Sequence, residues 1–150
     1  MTRRRLRLPL LPRRLRLGVV TLVAGVILYY SVFAPPGSGT IEMGPFGIIP
    51  YSTWLHFLAY VGLGGWVGYA LSDRSTSIRR RTLATFLATW GYGVAIEVVQ
   101  WPLPERTFAL TDMGVNALGA LVAAIVWIGL LRIARFYRLS SLDDVEPVVG

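Results

Sequence analysis

Between Ile96 and Asn116 the chain reads IEVVQWPLPERTFALTDMGVN, which sets Glu97, Gln100, Arg106, Asp112 and Asn116 between two long apolar runs. Glu97 and Asp112 are carboxylates that can take or give a proton. Arg106 carries a planar fork of donors that grips an anion or bridges two carboxylates, and the two amides both donate and accept. Glu97 and Gln100 are three residues apart and Asp112 and Asn116 four, so on helices each pair shares a face. The single histidine, His56, is followed one helical turn later by Tyr60, which adds a proton carrier and a phenol. Together these groups suit the binding of a polar head group, or acid–base chemistry on one. In the second case Glu97 or Asp112 would be acid or base, His56 the proton carrier and Arg106 the anion clamp. The same groups also suit an internal ion cluster that only locks helices together. A metal site of His56, Glu97 and Asp112 has the right atom types but no ligand-spacing signature, so neither a metal nor another cofactor is expected. The chain has no cysteine, which excludes disulfides and thiol catalysis.

The elements that must position these groups follow from composition. Of the 150 residues 54% are hydrophobic and 15% charged, the balance of a membrane protein. Four apolar stretches, Leu17 to Ala34, Thr53 to Leu71, Leu83 to Trp101 and Met113 to Ile133, each approach the ~20 residues that a helix needs to cross ~30 Å of hydrocarbon. Within a bilayer every backbone polar group must be bonded inside its own segment, and no long alternating strand pattern competes. The expectation is an all-α integral membrane bundle of four transmembrane helices. It divides into a basic tail at 1–16, the helical domain at 17–136 and a disordered tail at 137–150.

Every one of the 15 basic residues is Arg and the net charge is +7. The arginines cluster outside the apolar runs, which suits membrane topology and not nucleic-acid binding. Seven lie in MTRRRLRLPLLPRRLRL, four are Arg74, Arg79, Arg80 and Arg81, and three are Arg132, Arg135 and Arg138; Arg106 alone is in the opposite hairpin. The positive-inside rule then puts both termini in the cytoplasm, and the segments Pro35 to Ser52 and Pro102 to Thr111 outside, in a multi-pass protein of the cell membrane whose partners are membrane lipids. A signal peptide ending at VFA is the alternative for the first run. Pro35 disfavours cleavage there, so an uncleaved anchor is expected.

In this topology the unusual polar groups share one shallow layer near the outer boundary. Glu97 and Gln100 close the third helix, and Asp112 and Asn116 open the fourth, with Thr111 expected as its N-cap. His56 and Tyr60 are one and two turns into the second helix, which is expected to start near Ser52. The spacings Gly64-x-x-x-Gly68 and Gly119-x-x-x-Ala123 would let helices two and four approach closely. Tyr51, Trp54 and Trp101 fit an aromatic belt. Four short helices leave oligomerisation open.

HFLAYVGLG (His56 to Gly64), EVVQ (Glu97 to Gln100), RTFALTD (Arg106 to Asp112) and DMGVNALGALVA (Asp112 to Ala123) together resemble the VanZ-like family of small membrane proteins. The pattern of that family usually opens with an acidic residue and a Lys just ahead of the His, where Ser52 and Thr53 stand here. The family is named for a member associated with teicoplanin resistance, and the resemblance implies action at the cell envelope. Three functions remain: an outward pocket formed by His56, Tyr60, Glu97, Gln100, Arg106, Asp112 and Asn116 that binds a lipid head group or envelope glycan, an enzyme acting on a lipid head group, or a structural membrane protein.

Overall fold

The computed structural model describes residues 6–33, 43–73, 76–102 and 110–138. A short strand, β1 (Leu6–Leu10), precedes four helices: α1 (Arg13–Val32), α2 (Tyr51–Ala70), α3 (Ile78–Gln100) and α4 (Leu110–Ile133). A second strand, β2 (Ala134–Arg138), follows them. Each helix starts two to five residues before the corresponding apolar run. Pro12 and Pro50 stand at the N-caps of α1 and α2, and the Ser77 side chain accepts from the Arg80 amide at 3.4 Å at the start of α3. Thr111, expected as the N-cap of α4, lies inside its first turn, since the helix already includes Leu110. Asp112 in the first turn and Arg132 in the last complement the dipole of α4.

The all-α expectation describes the bundle, and β1 and β2 are an addition to it. They pair in parallel from Leu6 opposite Ala134 to Leu10 opposite Arg138. The basic tail therefore holds a strand, and α1 begins at Arg13 and not at Leu17. Five-residue strands separated by the whole bundle leave no local signature; the pairing exists only because α1 and α4 bring their ends together. Residues 139–150, the rest of the expected disordered tail, lie outside the described residues.

The small-residue spacing acts as expected. A Cβ added to Gly64 would come within 2.5 Å of the Ala123 methyl, one on Gly68 within 2.8 Å of the Trp127 ring, and one on Gly119 within 2.7 Å of the Phe57 carbonyl. Helices α2 and α4 thus cross nearly backbone to backbone, and dispersion across that seam holds them. Thr85 and Thr89 are wholly buried on α3, where their hydroxyls donate to the carbonyls of Arg81 and Thr85 one turn back and cost no unpaired donor.

Helices α1, α3 and α4 are long and apolar enough to cross a membrane. Helix α2 has 20 residues with no Asp, Glu, Lys or Arg, and its His56, tyrosines, tryptophans and glycines keep its mean hydropathy below that of the other three. Its position explains that composition. It packs against all three other helices, as α3 does, and meets α4 most extensively, where small residues and rings let the two backbones approach closely.

Candidate functional site

At the end of the bundle away from the strands, the C-termini of α1 and α3 meet the N-termini of α2 and α4. Tyr60 on α2, Glu97 on α3 and Asn116 on α4 are buried to 1%, 2% and 1% exposure. What brings them together is a missing side chain. A Cβ on Gly93 would be 2.9 Å from the Tyr60 ring and 3.1 Å from the Asn116 Cβ and amide nitrogen, so α3 presents bare backbone where the other two helices insert polar groups. Glu97 follows Gly93 by one turn on the same face of α3. Among the described residues the Tyr60 hydroxyl and both amide atoms of Asn116 lack a hydrogen-bond partner. Groups left this way cost about 1–3 kcal/mol each, an expense that packing alone would avoid with Phe and Leu.

Gln100 on α3 is also buried. Its amide nitrogen donates to the Ser31 carbonyl at 2.7 Å, tying the last turn of α3 to the last turn of α1. His56 and Asp112 are half-buried. His56 lines a cavity of about 410 Å³ between α1 and α2, together with Val26, Ile27, Tyr30, Ser31 and Leu55. The sequence-predicted layer is thus split by the structure into a buried polar knot at the α2, α3 and α4 junction and a mostly apolar cavity on the α1 side, with Tyr60 one turn below His56. Arg106 lies outside the described residues. Among the described residues no group of three His, Asp or Glu comes together that could hold a metal ion.

A family model described as VanZ/LLP1 matches residues 19–135, which takes in the greater part of α1 and all of α2, α3 and α4. The chain belongs to the VanZ/LLP1 family. No curated protein matches it, and no solved structure does. Of the expected site residues, every one lies inside the VanZ/LLP1 match.

A second buried polar centre, at the strand end, escaped the sequence reading. Arg16, assigned there to a basic tail, is 2% exposed. Its guanidinium donates to the carbonyls of Leu11 at 2.9 Å, Tyr69 at 3.1 Å and Ala70 at 3.0 Å, and to Asp73 Oδ2 at 2.6 Å. That ion pair joins the start of α1 to the end of α2, and the Arg16 hydrogen bond holds the Asp73 carboxyl below the usual carboxylate range. The Tyr69 hydroxyl donates to the Pro9 carbonyl at 2.8 Å and accepts from the Leu11 amide at 2.9 Å, so β1 is fastened to the same corner. One signal in the sequence pointed here: Asp73 is the lone acid among the basic residues of SDRSTSIRRR.

Proposed function

We propose that this VanZ/LLP1 protein is a four-span protein of the cell membrane with both termini in the cytoplasm. Its polar knot receives, from the envelope side, the head group of a lipid or lipid-linked envelope precursor. The observation that carries the reading is the pair of buried, unpartnered polar side chains, Tyr60 and Asn116, placed beside Glu97 where three helices converge. Bilayer interiors penalise such groups unless they face a polar partner or a water-filled path, and polar residues of this kind are a mark of a binding site. The neighbouring cavity supports a ligand with two parts. Its α1 and α2 walls are aliphatic and aromatic and accept an acyl or isoprenoid segment, and His56, one turn from Tyr60 on α2, lines the same cavity. The arrangement makes hydrogen bonds of both signs available, since Asn116 donates and accepts and Tyr60 can do either.

The second reading, in which the layer only holds helices together, is favoured at one residue. Gln100 spends its amide on the Ser31 carbonyl and acts as a strut between α3 and α1.

His56→Gln and Asn116→Ser separate the two readings. A binding site predicts that both variants keep the thermal stability of the wild type while losing retention of lipids from a total envelope lipid extract, read by mass spectrometry of the purified protein. Stability falling in step with retention would assign the layer to structure alone, and full retention in both variants would remove these residues from the site.

A further inference from the structure

A groove of about 460 Å³ runs between α3 and α4 at the strand end, opposite the polar knot. Its lining is two helical stripes that begin on arginine and turn apolar: Arg79, Leu83 and Phe86 on α3, and Arg132, Ile125 and Leu121 on α4. Spacings of three, four and seven keep each stripe on one face. Leu121 and Arg132 are 11 residues apart, about 16 Å at 1.5 Å per residue, so the groove is about as deep as one leaflet of a ~30 Å hydrocarbon core. Arg79 and Arg132 are exposed and make no ion pair among the described residues. Asp73, the carboxylate that the described residues hold at this end, is committed to Arg16. Two free guanidinium groups therefore stand at the mouth of an apolar channel, which is the charge and polarity profile of an anionic lipid, phosphate outward and chain inward.

We propose that the α3–α4 groove is a binding site for one anionic phospholipid drawn from the surrounding leaflet. Arg79 and Arg132 hold its phosphate, and one acyl chain lies along Leu83, Phe86, Leu121 and Ile125. The charge match selects against zwitterionic lipids, and the groove distinguishes a seated lipid from the diffuse attraction that the other arginines exert on any anionic surface. The site does not depend on the polar knot.

Native mass spectrometry of the full chain, released from detergent micelles doped with equal phosphatidylglycerol and phosphatidylcholine, tests this. The wild type should retain phosphatidylglycerol in preference. At about 1 kcal/mol per arginine, Arg79→Gln with Arg132→Gln should weaken phosphatidylglycerol binding by about 30-fold and abolish the preference. Arg7→Gln with Arg135→Gln removes the same charge from exposed positions on β1 and β2 and should leave the preference in place. Leu121→Trp, at a position 47% exposed, fills the channel and should lower retention without changing charge. Circular dichroism confirms the helical content of each variant, and all five substituted positions are at the surface. Equal loss in the two arginine pairs would overturn the site in favour of bulk attraction. Unchanged retention in Leu121→Trp would overturn the placement of the chain, and a protein dimer lost with Leu121→Trp would give the groove to a second copy.

Discussion

Replacing Arg16 with alanine should damage this protein far more than replacing any of its exposed arginines. The side chain is 2% exposed and its guanidinium satisfies three backbone carbonyls and Asp73 at once. Removing it strands a carboxylate that is 16% exposed and unties α1 from the end of α2. Breaking a buried pair typically costs about 3–5 kcal/mol. At about 2–4 °C per kcal/mol for a chain of this size, thermal unfolding followed by tryptophan fluorescence in detergent should shift down by about 6–20 °C. Asp73→Asn keeps an acceptor and loses only charge, so it should cost about 1–2 kcal/mol. The double variant Arg16→Ala, Asp73→Asn should lose less than the sum of the two, because each substitution removes the same contact. A pH series checks the electrostatic part. The folded protein holds Asp73 ionised more firmly than the unfolded chain does, so the pair stabilises fully above about pH 4 and its contribution fades as pH falls through the lowered value. Asp73→Asn should flatten that acid limb. An Arg16→Ala shift under about 2 °C, or strict additivity in the double variant, would refute this account of the corner.

A reporter fused after Gly150 should read as cytoplasmic and one inserted near Gly37 as external, since arginines cluster at the strand end; an external C-terminus would reverse the proposed face of the polar knot. Gly64→Val should lower folded yield and cost about 1–3 kcal/mol, because its Cβ would meet the Ala123 methyl at 2.5 Å, whereas Gly65→Val, with nothing within 4 Å, should be tolerated; equal effects of the two on thermal stability would contradict the close α2–α4 seam.

Much of this molecule is determined by linear pattern. Four apolar runs between arginine clusters specify four helices, because a bilayer-length helix is a local property of about 20 consecutive residues. Gly64, Gly68, Gly119 and Ala123 likewise reveal the seam between α2 and α4, since four-residue spacing alone puts small residues on one face. Glu97, Asn116 and Tyr60 stand out because polar groups are conspicuous in apolar runs. The partners of those groups were decided only by the tertiary structure. Nothing local says that Gln100 reaches across to Ser31, that Gly93 lets Tyr60 and Asn116 meet, or that His56 turns to a cavity on the α1 side. The plainest case is Arg16. In the sequence it is one of seven equivalent basic residues in a tail, and all of them count the same toward topology. Folding singles it out because the end of α2 delivers two carbonyls and Asp73 to the same point, and an arginine can be buried only where so many acceptors converge. That convergence also fastens β1 beside β2, a pairing between segments more than a hundred residues apart whose register depends on where α1 and α4 end in space.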